Sequence, residues 1–444
     1  MLTLDTRSGE RSCRLPIAAF AAATLLAVAA CGGTRGGQVG SDRGGFGTGG
    51  KVRTDFGGDD VANALAIQGD GKIVVAGGTG SDFALARHTR KGRLDPSFGT
   101  SGKVVTDVGA PPVKYLPPHP GAKALAIQSD GKIIAAGGSG SDFALARYTP
   151  DGRLDRSFGT GGKVLTDVGA RAADALQASW KNGANAVAIQ DDGRIVAAGE
   201  GDGVFALTRY MPDGRLDASF GTSGKILTDF GRKVRGSGAN DAAIANAIAV
   251  QADGKIIAAG RSAEDLALTR YMPDGRLDAS FGTGGKVVAK VGSDDFDEAN
   301  AIALQADGKI VAAGSTWPRN PAWLVVRLTP RGRLDRSFGS AGVAGGRRTG
   351  GGASAVAMLR DGKMVVLGGV FVPETSTWSS ALIRFTRSGH RDQAFGNGGS
   401  VRIQGTAVVI QRDGKMVVAG EASSRSGSSD FLLLRYKPDG SLDR

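Results

Sequence analysis

One phrase of fourteen residues returns seven times and constrains this chain more than any other feature. It reads ALAIQGDGKIVVAG from 64, ALAIQSDGKIIAAG from 124, AVAIQDDGRIVAAG from 186 and AIAVQADGKIIAAG from 247. It returns as AIALQADGKIVAAG from 301, AVAMLRDGKMVVLG from 355 and AVVIQRDGKMVVAG from 407. Each copy is followed by an apolar stretch such as Phe83-Ala84-Leu85-Ala86-Arg87 and a turn such as Pro150-Asp151-Gly152. A Leu-Asp-x-Ser-Phe-Gly phrase comes next, then a valine-rich stretch such as Lys103-Val104-Val105-Thr106-Asp107. The spacing averages about 59 residues per unit, the scale of one supersecondary unit in a repeat protein.

Each unit reads as four strands. The Asp-Gly inside the phrase predicts a tight hairpin with a primed turn, where glycine accepts the positive φ. The middle strands are continuously apolar rather than alternating, so both of their faces should be buried. Four-stranded sheets covered on both faces and repeated seven times give an all-β fold, a seven-bladed β-propeller. The ends agree with a ring. After the first 45 residues the chain enters in mid-repeat with Phe46-Gly47 and the strand Lys51 to Phe56. It stops in mid-repeat at Ser441-Leu442-Asp443-Arg444. Head to tail these complete one unit, so the first strand should be the outer strand of the seventh blade. Closure removes the free edges that an open stack would expose, and neither end resembles the cap a solenoid needs. The 72 glycines against only 15 prolines then become blade punctuation, and 41% hydrophobic residues suffice for a large core.

The phrases DGKIVVAG, PDGRLDxSFG and GKVVTD, in units of about sixty residues, resemble the bacterial delta-60 repeat family over residues 46–444. The resemblance implies a β-propeller. It supplies no assigned activity, no catalytic residues and no cofactor. The sixth unit drifts, with Val343 where the first has Lys103 and Leu359 where it has Gln68.

Three positions recur in every unit: the arginines from Arg87 to Arg435, the aspartates from Asp95 to Asp443, and the phenylalanines from Phe46 to Phe395. Seven equal copies round a ring cannot converge on one small ligand away from the axis. The expectation is structural: Phe between blades, with Arg and Asp paired or bonded to a neighbouring turn. The basic residues after each Asp-Gly, from Lys72 to Lys415, should form a solvated rim.

Residues 1–30 are set apart from the fold. Arg7, Arg11 and Arg14 precede an apolar run from Ile17 to Ala30, and Val28-Ala29-Ala30 leads into Cys31. This arrangement resembles a bacterial lipoprotein signal, which implies lipidation of Cys31, a tether over 31–45 and attachment to the cell membrane or outer membrane. Secretion is the alternative. With Cys13 removed and Cys31 lipidated, no cysteine remains for disulfides or thiolate metal sites. The net charge of +12 suits anionic envelope polymers or lipid head groups, whereas nucleic acid is not an expected partner of an exported protein.

Loop length carries the functional signal. Connections from each fourth strand to the next blade, and from second to third strands, vary widely; the other two scarcely do. In a four-stranded meander both variable sets lie at one end, so one face should bind the ligand. Trp180, Trp317, Trp378, Tyr115 and Phe371 fall in these loops, and aromatic side chains there suit sugar faces or peptide anchors. Trp323 aligns with Phe83 and should be core. His88, His119 and His390 occupy unrelated positions, so no histidine metal site is expected. Asp294, Asp295 and Asp297 form a weak metal candidate without EF-hand spacing. The expectation is a monomeric, cofactor-free binding or scaffold module of the cell envelope, with a glycan or envelope protein as partner. The alternative is a lyase or hydrolase acting on cell-wall polysaccharide. Asp241, Asp294 or Asp297 clustered with Arg or Tyr at the channel mouth would favour that enzyme.

Overall fold

The computed structural model describes residues 45–109, 121–140, 142–169, 183–231, 242–291, 296–317, 322–346, 351–372, 377–423 and 427–444. These form seven four-stranded antiparallel sheets, and the described residues contain no helix. Blade 1 runs from an inner strand, Asp60–Ile67, through Ile73–Thr79 and Asp82–His88 to an outer strand, Lys103–Thr106. The remaining blades repeat this order outward, and the inner strands of neighbouring blades touch all the way round.

Continuous apolarity of the second strand has a direct physical reading. Ile73, Val74, Val75 and Ala76 are all fully buried because successive residues enter opposite inter-blade cores. Val74 packs with Ile133 and Ala135 of blade 2, whereas Val75 packs with Val417 of blade 7. Each buried valine or isoleucine among them contributes about 1.5–3 kcal/mol. The ring closes as the repeat phase requires. Lys51–Thr54 pairs antiparallel with Ser429–Tyr436, with Thr54 opposite Phe431, and becomes the outer strand of blade 7.

The Asp-Gly hairpin differs from the predicted primed turn. Among residues 69–71 only Gly71 has positive φ, at 83°. Gln68 N–H donates to the Lys72 carbonyl (2.9 Å) and Gly71 N–H to the Gln68 carbonyl (2.8 Å). The loop is therefore three residues long, a type I turn followed by one left-handed glycine. Asp70 stays right-handed because its Oδ1 accepts Lys72 N–H at 3.0 Å. The late-chain drift spans two blades, since Val343 begins the outer strand of blade 5 and Leu359 follows the inner strand of blade 6.

The recurring Arg, Asp and Phe form one structural unit per blade. In blade 3, Arg209 Nε donates to Asp217 Oδ2 (2.8 Å), and Nη2 donates to Ser219 Oγ (3.3 Å). Nη1 crosses to the Pro273 carbonyl of blade 4, and the guanidinium stacks 4.4 Å from the Phe220 ring. The same stack recurs in all seven blades. The rim cations are more than solvated: Lys72 Nζ lies 3.6 Å from the turn carboxylate Asp70 and only 3.0 Å from Asp95. Each LD aspartate therefore bridges two cations and lies below the usual carboxylate pKa. For Asp155, burial opposes the shift, while Ser157, Arg147 and Lys132 together bring it to about 2.

Candidate functional site

The strand ends that flank the variable connections fall at one end of the blades. Blade 6 has the longest middle strands. The middle hairpin of blade 6 pairs Met364–Val372 with Thr377–Phe385, nine residues a strand against seven in blade 1. The extra length continues the register to Phe371 opposite Trp378. Their rings meet edge to face at 5.5 Å, yet Phe371 remains 39% and Trp378 51% exposed. This is an aromatic pair preorganised by its own hairpin rather than inserted into the core. A Cβ at Gly351 would lie 3.1 Å from the Trp378 ring, so glycine lets the ring lie against the backbone entering the inner strand.

The platform beneath is tied to its neighbour. Trp323 of blade 5 is buried, as expected from its alignment with Phe83, and its Nε1–H donates to the Gly369 carbonyl of blade 6 at 2.6 Å. Trp317 ends the strand Ile310–Trp317, opposite Phe296, at the register position that Phe371 holds in blade 6. The backbone thus places Trp317 and the Phe371–Trp378 pair on adjacent blades at the same end. Trp180, Tyr115, Cys31, Asp241, Asp294 and Asp295 lie outside the described residues, as do the signal and all but the last residue of the tether. Asp297 is fully buried, and its Oδ2 accepts Val291 N–H at 2.6 Å. Asp60 does the same for Phe56 at 2.6 Å, so this aspartate braces the loop into an inner strand.

Two features escaped the sequence reading. The first is a carboxylate group where blades 7 and 1 meet: oxygens of Asp55, Asp60 and Asp430 lie within 4.8 Å of one another. Arg53 already holds Asp430 at 2.7 Å, and Asp55 accepts Gly57 N–H at 2.6 Å. Burial raises the Asp60 pKa against the lowering effect of its Thr79 and Phe56 hydrogen bonds. At the equivalent joint of blades 4 and 5, Lys290 stands where Asp55 stands here.

The second is a ring of hydrogen bonds about the axis. Every inner strand of blades 1 to 6 carries a bulge that leaves one residue out of the pairing register, as between Ala62 and Ala64. The bulged residue turns toward the next blade. Asn63 Nδ2 donates to the Ala122 carbonyl (3.0 Å), Asn185 to Ala245 (3.1 Å), Asn246 to Ala299 (3.1 Å) and Asn300 to Ala353 (3.0 Å). Ser354 Oγ donates to the Thr406 carbonyl (3.0 Å), and Thr406 Oγ1 to Ala62 (2.8 Å), which closes the circle. Blade 2 alone places a cation here: Lys123 Nζ donates to Asn185 Oδ1 at 2.9 Å. Burial pulls its pKa down to about 8, with Glu200 acting in the opposite direction. The sequence signal is partial: Asn precedes the repeated phrase at 63, 185, 246 and 300, while Lys123, Ser354 and Thr406 take the same place in the other units.

Comparison with known proteins agrees with the fold. A model of the family described as a domain of unknown function (DUF5122) beta-propeller matches residues 68–98, 128–158, 190–220, 251–281, 305–338 and 411–444. Blade 6, where Leu359 replaces the recurring Gln, is the one unmatched. No curated protein matches the chain. Similar solved structures include virginiamycin B lyase from Staphylococcus aureus, at 12% identity and TM-score 0.48, covering 86% of this chain and 98% of that one. A Lactobacillus plantarum protein aligns at 14% identity and TM-score 0.43, covering 84% and 97%. Drosophila plexin A, solved with semaphorin 1b, aligns at 11% identity and TM-score 0.45, covering 88% and 87%. The six matched segments and the seven blades identify the chain as a β-propeller repeat protein.

Proposed function

We propose that this propeller, of the delta-60 kind, is a non-enzymatic binding module of the bacterial envelope, with its ligand on the face that carries the variable loops. The exposed Phe371–Trp378 pair carries the reading. A rigid cross-strand aromatic pair at 5.5 Å presents a large apolar surface at little entropic cost on binding. A pyranose face or an apolar protein side chain would stack there, and the positive net charge of +12 favours an anionic partner. A surface glycan and an envelope protein are both accommodated, with the chain held at the membrane by a lipid on Cys31.

The test is a screen of the purified chain against a glycan array and purified envelope proteins, repeated with Trp378→Ala. Loss of an exposed aromatic anchor should weaken binding by about 2 kcal/mol, roughly thirtyfold in Kd. Unchanged binding by the variant would remove the aromatic site. For the anchor, Cys31→Ala should move the protein out of the membrane fraction, and retention there would contradict lipidation.

A further inference from the structure

We propose that Asp55, Asp60 and Asp430 bind a calcium ion at the seam where blades 7 and 1 close the ring. Each carboxylate is fixed through one oxygen and keeps the other. Asp55 Oδ1 accepts Gly57 N–H at 2.6 Å, and Asp60 Oδ2 accepts Phe56 N–H at 2.6 Å. Arg53 takes Asp430 by Oδ2 alone, through Nε at 3.1 Å and Nη2 at 2.7 Å. The remaining oxygen of Asp60 is the one that points to a ligand. Asp60 is fully buried, and its Oδ1 has no hydrogen-bond partner among the described residues. A buried carboxylate oxygen left without a donor is costly, and a cation satisfies it. Oxygens of the three carboxylates lie within 4.8 Å of one another, a span that one calcium ion with ligands at about 2.3–2.6 Å bridges.

Charge favours a divalent ion. Three carboxylates face one guanidinium, and Lys103 Nζ reaches the backbone carbonyl of Asp55 at 2.8 Å rather than its carboxylate. Asp59, whose Oδ1 accepts Ser429 N–H at 3.3 Å, and Glu421 add negative charge to the same seam. The ring also contains its own comparison. An aspartate stands three residues before the axial ring position in two units only, as Asp60 and Asp297. Asp265 holds in blade 4 the register place that Asp430 holds in blade 7, one residue before the partner of the outer strand's last residue. The residue that follows that outer strand is Lys290 in blade 4 and Asp55 in blade 7. One joint carries a cation in its own chain, and the other carries a third acidic ligand. A bound ion would tie the end of the closing strand Lys51–Thr54 to the strand Ser429–Tyr436 of blade 7 and to the inner strand Asp60–Ile67 of blade 1.

The experiment is calorimetric titration of the metal-free, full-length chain with calcium chloride, joined to thermal melts with and without about 5 mM calcium. At an expected Kd of about 10⁻⁴–10⁻³ M, calcium should raise the melting temperature. Asp55→Asn keeps the oxygen that accepts Gly57 N–H and loses the charge, so calcium should bind at least about tenfold more weakly. Asp55→Lys copies the blade 4 joint: it should melt no lower than the metal-free parent, and calcium should no longer shift it. A parent chain that takes up no calcium, an Asp55→Asn chain that binds it as tightly as the parent, or an Asp55→Lys chain still stabilised by calcium would overturn the proposal.

Discussion

Replacing His88 by Tyr should remove a defined loss of stability between pH 6.5 and 4. His88 is fully buried at the end of the strand Asp82–His88, with Nε2 3.0 Å from Thr54 Oγ1. Tyrosine occupies the same place in blades 2, 3 and 4. Tyr148 Oη donates to Thr106 Oγ1 at 2.9 Å, and Tyr210 Oη to Thr166 Oγ1 at 2.8 Å. Burial lowers the His88 pKa from 6.5 to about 4. Above 6.5 the ring is neutral in both the folded and unfolded chains, so its titration contributes nothing. As pH falls from 6.5 to 4 the unfolded chain binds a proton that the folded chain refuses, so stability falls. At about 1.4 kcal/mol per unit, the 2.5-unit gap amounts to about 3 kcal/mol. For the roughly 350 described residues the unfolding entropy is about 0.7 kcal/mol/K, which makes the loss about 4 °C in Tm. Melting both proteins by circular dichroism between pH 7 and 4 isolates the histidine, because every carboxylate is common to both. The wild-type Tm should fall about 4 °C further than that of the variant. Parallel curves would refute the reasoning.

Three further outcomes follow from the fold. Asp217→Asn should cost about 3–5 kcal/mol, measured by urea unfolding, because it strips the carboxylate from Arg209 (2.8 Å) and Arg194 (2.9 Å); a cost under about 1 kcal/mol would mean that the pair behaves as a surface ion pair. The LD aspartates have depressed folded pKa values, about 2 for Asp155 and Asp278, so their stabilisation is complete above about pH 4 and disappears as pH falls toward 2. An acid titration at fixed salt should show this steep loss, and stability unchanged down to pH 2 would contradict it. Gly77→Ala would place a Cβ 1.8 Å from the Val61 carbonyl oxygen, whereas Gly69→Ala meets nothing within 4 Å. Thermal melts should show the first as strongly destabilised and the second as neutral or slightly stabilised.

The architecture was legible because repetition made local signals consistent. The Asp-Gly turns, the twice-buried ALAIQ and KIVVAG strands and the split repeat at the two ends all pointed to one closed ring. Trp323 was legible as core because the repeat aligns it with Phe83. The turn type was not, since Asp-Gly suits both a primed turn and a type I turn with a left-handed glycine. That choice rests on a hydrogen bond from Lys72 N–H to Asp70. The axial ring was hidden for a different reason. Asn stands directly before the phrase at 63, 185, 246 and 300, but Lys123, Ser354 and Thr406 replace it in the other three units, so the letter is not constant round the ring. The rim lysines looked solvated because their second partner, the LD aspartate, lies some twenty residues away in sequence. Phe371 and Trp378 were each visible as loop aromatics. Their pairing needed the extended register of blade 6.

The most direct test of the account is hydroxyl-radical footprinting of the full chain with and without the glycan or envelope protein that the screen selects. Binding on the variable face predicts protection of Phe371 and Trp378, with the Asp-Gly hairpins at the opposite end unchanged. Full oxidation of Phe371 and Trp378 in the complex, with protection at the Asp-Gly end instead, would contradict it.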